Sequence, residues 1–246
     1  MINKRPLGDF LKLNPFERGW TDGLFYREKM RAIHRIAPDV LADGAKILEI
    51  GGGRSGLAAM LFPGAEVVTV DIDPSLAPDQ PIHPNTRFVT GDACDLPFED
   101  ASFDIVTMFD LLEHVPDDRK AASEATRVVK RGGAILVSTP DAEWRYPYYG
   151  FMAPLCPHEQ VLMDEWGHVR RGYRAQDLNG LFGGEPFTRA SFINGVTAFY
   201  HDVAFSKLGR RKRKLFYAAM AAPTAVAYAL HGRSTKGTEH AAAWRR

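Results

Sequence analysis

One segment, Lys46 to Gly56, restricts the possible folds of this chain more than any other. It reads Lys-Ile-Leu-Glu-Ile-Gly-Gly-Gly-Arg-Ser-Gly, a short β-prone run followed by glycines where the chain must turn hard. Glycine adopts positive φ and, without a Cβ, lets a ligand approach the backbone closely. Ser55 is expected to cap a helix that runs to about Phe62, whose first free N–H groups point back at the turn. A strand, a glycine turn and a helix N-terminus together predict a binding site for a nucleotide-like ligand.

The glycine pattern is compatible with two classes of cofactor. Gly51-x-Gly53-x-x-Gly56, with Asp71 about twenty residues further on, satisfies the dinucleotide fingerprint. Glu49 separates the two classes, because it lies at the end of the strand just before the first glycine. A pyrophosphate there would be repelled by this acid, whereas a cationic amino-acid tail would be attracted. S-adenosylmethionine has such a tail and no phosphate, so Glu49 favours it over a dinucleotide.

Four blocks of the sequence resemble the signature blocks of class I S-adenosylmethionine-dependent methyltransferases, in the right order and at ordinary spacing. The blocks are Glu49-Ile-Gly-Gly-Gly, Val67-Val-Thr-Val-Asp71-Ile-Asp73, Gly91-Asp92-Ala93-Cys94-Asp95-Leu-Pro-Phe98 and Phe103-Asp-Ile-Val-Thr-Met-Phe-Asp-Leu-Leu-Glu-His114-Val. The resemblance covers roughly residues 44 to 140. It implies an α/β fold with a doubly wound, mostly parallel seven-stranded sheet, helices on both faces, and S-adenosylmethionine as the cofactor.

The resemblance also implies roles for individual residues. Glu49, Gly51 and Gly53 would hold the methionine end of the cofactor. Asp71, at the tip of the second strand, can accept both ribose hydroxyls, although an acid that merely caps a strand end in water is the alternative interpretation. Further cofactor contacts are expected at Ile72, Asp92, Ala93 and Phe109, with the Asp92 carboxylate on the adenine amino group.

The family places its reacting centre beyond the carboxyl ends of the first and fourth strands, where His114 lies. An imidazole has a suitable pKa to remove a proton from a hydroxyl at neutral pH, so His114 is the candidate base. A structural hydrogen-bond donor is the alternative interpretation. His158, Glu159, Asp164 and His168 match no standard metal-site spacing, and no metal site is expected.

Hydrophobic patterning predicts alternating strands and helices, and hence a parallel sheet with helices on both faces. After the first strand, the expected strands are Glu66–Val70, Thr86–Thr90, Phe103–Phe109, Ala134–Ser138, a strand-like Phe187–Ala198 and a last strand at Glu239–Trp244. The expected helices include one from Thr21 or Asp22 to Ala37, one over Ala121–Lys130 and one over Arg174–Phe182. The final two strands would form the antiparallel hairpin typical of the family, although they stand far apart in the chain.

We expect one domain in four parts: an N-terminal helical cap (1–43), the cofactor-binding core (44–140), an acceptor-site insert with the end of the sheet (141–206), and a basic and apolar C-terminal helix with the last strand (207–246). The leading helix is expected to cover the sheet, and Trp20 and Tyr26 are candidate lid residues over the cofactor. The insert is too aromatic to be disordered, which predicts the wall of an acceptor site.

Charge and cysteine content exclude several classes of protein. A net charge of +1 does not fit a globally basic nucleic-acid binder, and no Asn-Pro-Pro-Tyr type block follows the fourth strand. Two cysteines make no disulfide framework, which together with a start lacking a signal-peptide pattern predicts a cytoplasmic protein.

The basic run at 207–214 leads into an apolar stretch too short to span a bilayer. This stretch is either a surface helix at the inner face of an anionic membrane or a core helix with a solvated flank.

The sequence therefore favours a methyltransferase that acts on a small-molecule, glycan or lipid-linked acceptor, with O-methylation preferred. One alternative is an NAD(P)-dependent oxidoreductase, against which stand Glu49, the Asp92 block and the lack of a Tyr-x-x-x-Lys constellation. Another is a non-catalytic relative that binds the cofactor, or a membrane through residues 207 to 230.

Overall fold

The computed structural model describes residues 1–15, 22–53, 55–77, 84–232 and 236–246. The strands are β1 (Ile2–Asn3), β2 (Val40–Leu41), β3 (Lys46–Ile50), β4 (Glu66–Asp71), β5 (Thr86–Thr90), β6 (Phe103–Phe109), β7 (Val129–Pro140), β8 (Thr188–Phe192) and β9 (Glu239–Arg245). The α-helices are α1 (Leu7–Leu11), α2 (Asp22–Ile36), α3 (Leu57–Leu61), α4 (Asp118–Val128), α5 (Glu159–Trp166), α6 (Ala175–Phe182), α7 (Gly195–Ala204) and α8 (Arg210–Leu230).

Seven of these strands form one sheet in the order β5-β4-β3-β6-β7-β9-β8. The strands from β5 to β7 run parallel, while β9 is antiparallel to both of its neighbours. The chain proceeds from β3 outward to β4 and β5, then returns to place β6 on the other side of β3. This reversal opens a crevice beyond the carboxyl ends of β3 and β6, where ligands bind in sheets of this kind. The expected seven-stranded α/β fold is confirmed.

The central strands are buried on both faces, which is why they read as nearly continuous hydrophobic runs. Ile47 packs into a core with the N-terminal helices on one face, and Leu48 packs into a second core with α4 and α6 on the other. Two hydrophobic layers thus hold the sheet and fix the positions of the loops at its carboxyl edge.

The helix after the glycine turn is shorter than expected, and the expected cap at Ser55 is wrong. The helix α3 begins at Leu57 after Gly56, without a side-chain cap, and the Ser55 hydroxyl donates instead to the Gly52 carbonyl at 2.7 Å. The Ala58 N–H donates to the Glu49 carboxylate, so an acid from the preceding strand occupies the helix N-terminus.

The boundary between α4 and β7 also differs from the expectation. The Asp117 side chain accepts the Lys120 N–H and begins α4 earlier, whereas β7 starts at Val129 and includes the Arg-Gly-Gly segment expected to end the helix. Gly133 fits there because a Cβ would lie 2.7 Å from the Asp104 carbonyl oxygen of β6.

Only part of the expected strand over Phe187–Ala198 forms. The strand β8 ends at Phe192, Ile193 has a φ of 60°, and the Asn194 side chain accepts the N–H groups of Val196 and Thr197 to begin α7. A β-rich composition could not reveal this cap. The expected hairpin of the last two strands is nevertheless present, with α7 and α8 inserted between β8 and β9.

The long helix α8 lies at the surface rather than in the core. Among its large apolar side chains, Leu215, Val226 and Leu230 are 73%, 57% and 77% exposed, and Thr224 is its one buried residue. Its inner face packs on α7, where Tyr217 stacks on Tyr200. Within the described ranges, no helix combines the length and hydropathy needed to cross a membrane.

Candidate functional site

The glycine turn after β3 is a tight loop that other residues would not fit. Gly51 has a φ of 68°, and a Cβ there would lie 2.5 Å from Leu111 Cδ1. Gly53 has a φ of 50°, and its nearest polar neighbour is Asp71, with Oδ2 3.8 Å from the place of a Cβ. The loop therefore leaves exposed backbone beside the tip of β4, as a cofactor cradle requires.

Glu49 lies beneath this loop and is only 1% exposed. Its Oε1 accepts the Ala58 N–H at 3.2 Å, and its Oε2 lies 3.5 Å from the Thr69 hydroxyl. Burial raises the pKa of Glu49 to about 7, against the opposing effect of these hydrogen bonds. A cation placed near the carboxylate would favour its ionised form.

The tip of β4 carries Asp71 and Ile72 beside the glycine loop. One carboxylate oxygen of Asp71 accepts the Asp73 N–H at 3.2 Å, so the side chain both shapes its own turn and keeps Oδ2 towards Gly53. Ile72 is 69% exposed. A carboxylate next to an exposed apolar side chain suits a ribose hydroxyl pair next to a flat base.

The next strand end carries Asp92 and Ala93. Asp92 Oδ1 accepts the Cys94 N–H at 2.8 Å, which closes the turn, and the Gly91 N–H donates to the Asp71 carbonyl at 2.9 Å. These bonds bring the ends of β4 and β5 together at the same edge of the sheet. Phe109, by contrast, is 8% exposed and packs in the core at the end of β6.

The residue after Phe109 was not expected to be functional, yet Asp110 is central to the site. It has a φ of 48°, accepts the Ser138 hydroxyl at 2.6 Å and pairs with Lys29 of α2. Burial opposes both charges, but the pairing outweighs it, so the pKa of Lys29 is raised and that of Asp110 is lowered. Both groups are charged at neutral pH.

Two adjoining cavities of about 340 and 350 Å³ open beyond β6 and β7, and Phe25, Asp110, His201 and Glu239 line both. We call them together the acceptor cavity. The remaining lining residues are Tyr26, Lys29, Phe192, Ile193, Ala204 and Phe205 in one, and Glu113, His114, Pro140, Trp144, Trp166 and His168 in the other. The aromatic insert supplies Trp144, Trp166 and His168 as one wall.

His114 faces this cavity from the turn after β6. Its Nδ1 lies 3.2 Å from the Gly167 carbonyl, and its ring packs edge to face on His168, with centroids 4.6 Å apart. Burial and the neighbouring His114 lower the pKa of His168 to about 4. Burial likewise lowers the pKa of His201 to about 4, so both rings are neutral at pH 7.

Two carboxyls of the cavity have no ion pair in the described part of the chain. Glu113 is 1% exposed, and burial together with Asp110 raises its pKa to about 8. Glu239 shares the cavity, and burial and Asp110 raise its pKa well above its ordinary value. Glu113 is therefore largely protonated at neutral pH, and a cation bound beside these two carboxyls would favour their ionised forms.

Of the two expected lid residues, Trp20 lies outside the described residues and Tyr26 is placed. The Tyr26 side chain hydrogen-bonds Ser55 of the glycine turn while its ring lines the acceptor cavity. Burial raises the pKa of its phenol to about 12. Tyr26 therefore lies between the cofactor cradle and the acceptor cavity, and its role as a lid residue stays a prediction.

Comparisons with known proteins agree with this arrangement. A family model described as a methyltransferase domain matches residues 48–137. The ubiquinone/menaquinone biosynthesis C-methyltransferase UbiE of Stutzerimonas stutzeri is 37% identical over 186 residues, which cover 65% of this chain and 73% of that protein. The 2-methyl-6-phytyl-1,4-hydroquinone methyltransferase of Synechocystis is 29% identical over 160 residues, or 58% of this chain and 48% of that protein.

Among solved structures, a geranyl diphosphate methyltransferase in complex with GPP and sinefungin superposes with a TM-score of 0.59. The match is 16% identical and covers 89% of this chain and 77% of that one, so it supports the fold. The chain spans less than half the length of the Synechocystis protein and of two other curated methyltransferases that it matches.

Proposed function

Because the chain belongs to the class I S-adenosylmethionine-dependent methyltransferases, with S-adenosylmethionine as cofactor, we propose that it methylates a small-molecule or lipid-linked acceptor, at a hydroxyl group. The observation that carries the proposal is the loop after β6. Its Leu111 packs on Gly51 of the cradle, while Asp110 and His114 line the acceptor cavity. The cradle and the acceptor cavity therefore adjoin at this loop, where the methyl group and the acceptor atom would meet.

The cofactor supplies an activated methyl group on a sulfonium, and the residues of the cradle position it. The glycine loop accommodates the methionine end, near Glu49, whose carboxylate favours the ammonium. Asp71 binds the ribose hydroxyls, Ile72 flanks the base, and Asp92 and Ala93 recognise its edge. Catalysis then consists mainly of aligning the acceptor atom with the methyl group and excluding water.

The walls of the cavity favour an acceptor that is flat and largely apolar with a polar end. Phe25, Trp144 and Trp166 present aromatic surface, whereas Glu113, His114 and His168 cluster at one side. A phenol or hydroquinone with an apolar tail would place its ring between the aromatic walls and its hydroxyl at the cluster. The names of the UbiE and hydroquinone relatives support this acceptor class.

We further propose that α8 contacts the inner face of a membrane. Its N-terminal turn carries Arg210, Arg211, Lys212 and Lys214, all exposed, ahead of the exposed apolar face described above. The helix packs on α7, and α7 contributes His201 to the acceptor cavity. A lipid-linked acceptor could then pass from the membrane surface to the cavity along α7.

Calorimetric titration with S-adenosylhomocysteine and with NADH tests the cofactor assignment, on the wild type and on Asp71→Ala. We expect micromolar binding of S-adenosylhomocysteine only, lost in the variant. Incubation with methyl-labelled S-adenosylmethionine and prenylated hydroquinones, followed by mass spectrometry of the product, then tests the acceptor. Label on carbon instead of oxygen would overturn the proposed hydroxyl acceptor, and NADH binding alone would favour the oxidoreductase.

A further inference from the structure

Glu113, His114 and His168 form a cluster in which one ligand atom of each residue lies within 4.8 Å of the other two. We propose that this cluster binds a divalent transition-metal ion, zinc in the first instance, at the wall of the acceptor cavity. Two imidazoles and one carboxylate are a donor set for Zn²⁺ and related ions, and they leave a coordination position open to a substrate. The sequence spacing gave no indication of this site, because the insert carries one of the three ligands.

Hydrogen bonds hold the two ligand-bearing segments together. The Val169 N–H donates to the Glu113 carbonyl at 2.9 Å, and the Arg170 guanidinium donates to the carbonyls of Leu112 and Val115 at 2.5 and 2.6 Å. The segment with His168 is therefore fastened to the turn with Glu113 and His114. A cluster held from both sides is preorganised for an ion.

The hydrogen bonding of both imidazoles fits ligation. His114 Nδ1 lies 3.2 Å from the Gly167 carbonyl, and donation to it leaves the Nε2 lone pair free. Metal-bound histidines commonly donate their second ring N–H to a backbone carbonyl in this way. His168 Nδ1 is buried and has no hydrogen-bond partner among the described residues. A buried unpartnered ring nitrogen is costly unless something else binds it.

The local charge balance also favours a cation. Glu113 is buried, and its Oε2 accepts a hydrogen bond from the Thr139 hydroxyl at 3.2 Å. Three carboxyls, Asp110, Glu113 and Glu239, line the cavity, whereas Lys29 is already paired with Asp110. A divalent ion bound among these carboxyls would supply the positive charge that their ionised forms need when buried.

The distances allow an ion after small side-chain rotations. A tetrahedral ion about 2.1 Å from each ligand atom holds its ligands about 3.4 Å apart. The three ligand atoms, which now lie within 4.8 Å of one another, must therefore come closer by rotation of the two rings and the carboxylate. The hydrogen bonds described above hold the backbone of both segments in place while these side chains rotate.

The open position would face the acceptor cavity that Glu113, His114 and His168 line together. A hydroxyl bound to a divalent ion would lose its proton to solvent water more readily, and the resulting oxygen anion would be the better nucleophile towards the methyl group. His114 would then act as a ligand that positions the ion, not as the free base expected from the sequence. This use of the ion rests on the proposed function, whereas binding of the ion does not.

The test uses the tag-free 246-residue chain stripped with a chelator. It is titrated with Co²⁺, followed by visible absorption, and with Zn²⁺, followed by calorimetry. We expect one ion per chain, and affinity about 100-fold weaker in His168→Ala and in the isosteric Glu113→Gln. His158→Ala is the matched control, because His158 is an exposed histidine of the same insert, and its affinity should equal that of the wild type.

Absence of binding in the wild type, or an equal loss in His158→Ala, would overturn the proposed ion site. Melting curves and titration with S-adenosylhomocysteine show whether each variant is folded with an intact cradle. A protein that binds the ion and the cofactor without methylating any hydroxyl acceptor would confirm the ion site and overturn only the proposed function.

Discussion

Lys29 of α2 and Asp110 at the end of β6 form an ion pair, with Nζ 2.5 Å from Oδ2. The two side chains are 15% and 31% exposed and line the acceptor cavity together. The pair joins α2 to the loop after β6, which packs on the glycine turn and lines the cavity. The position of α2 over the sheet is therefore coupled to the geometry of the site.

Lys29→Met should destabilise the protein by about 2 kcal/mol, since it leaves the Asp110 carboxylate without its counter-ion. The loss falls below that of a fully buried pair because Ser138 still donates to Asp110 and the carboxylate is partly solvated. Lys46→Met is the control. Lys46 pairs with Glu66 at 3.7 Å, and both side chains are about half exposed. Its replacement should lower the free energy of unfolding by less than about 0.5 kcal/mol. Urea unfolding measures both, and equal losses would contradict the coupling.

Glu49→Gln should weaken binding of S-adenosylhomocysteine about 10- to 100-fold, because the amide cannot provide a charged partner for the ammonium. The amide is nearly isosteric and still accepts the Ala58 N–H, so α3 keeps its start. Calorimetry gives the affinity, with Glu66→Gln at the opposite end of the sheet as control. An unchanged affinity would mean that Glu49 serves only the helix.

The pH dependence of stability offers a separate test of Glu49. Its folded pKa, about 7, lies above its unfolded value of 4.5, so its contribution to stability is fully present below about pH 4.5 and is lost as pH rises through 7. Glu49→Gln should therefore match the wild type near pH 4.5 and exceed it by about 3 kcal/mol above pH 7. Unfolding free energies without cofactor, measured across this range, check the difference, and a constant difference would contradict the assignment.

Gly51→Ala should cost about 3 kcal/mol and abolish measurable cofactor binding. It combines the strain of a positive φ with a clash of its Cβ on Leu111. Gly132→Ala separates the two effects, because Gly132 has a φ of 79° but no atom within 4 Å of the place of a Cβ. That control should lose about 1–2 kcal/mol and bind cofactor normally. Thermal unfolding measures the stability of both variants, and calorimetry measures their affinity for S-adenosylhomocysteine.

A variant with Gln at four basic positions, Arg210, Arg211, Lys212 and Lys214, should bind phosphatidylglycerol vesicles more weakly. We expect its partition coefficient, measured by vesicle sedimentation, to fall at least about 100-fold, because each charge contributes about 1 kcal/mol. Arg213 is retained because its guanidinium donates to the Ala204 carbonyl. The control replaces four other exposed basic residues, Arg119, Lys120, Arg131 and Arg145, with the same change in net charge. Equal partitioning of both variants would remove the proposed membrane contact.

The sequence could place those residues that lie at the carboxyl end of a recognisable strand. Glu49, Asp71 and Asp92 each follow a strand whose hydrophobic run is readable, and parallel strands bring their carboxyl ends to one edge. The same logic placed His114 beyond β6. Whether these residues perform the expected roles stays a prediction, because a position at the right edge does not fix a contact.

Residues brought to the site by long-range pairing could not be found in this way. Glu239 reaches the acceptor cavity because β9 pairs it with Pro140 of β7 and with Phe192 of β8. Lys29 lies there through the packing of α2, and His168 through hydrogen bonds of the insert. Glu239 and Lys29 carry no local signal, whereas the aromatic composition of the insert predicted a wall of the site without singling out His168.

Because α7 and α8 are inserted between β8 and β9, the cofactor cradle and the acceptor cavity are completed by residues at different points of the chain. The cofactor cradle is complete once β6 and its following loop have been synthesised, whereas the acceptor cavity lacks Glu239 until β9 emerges. During synthesis β8 has no partner in the sheet until that moment. A nascent chain would thus acquire its capacity for the cofactor before its capacity for the acceptor.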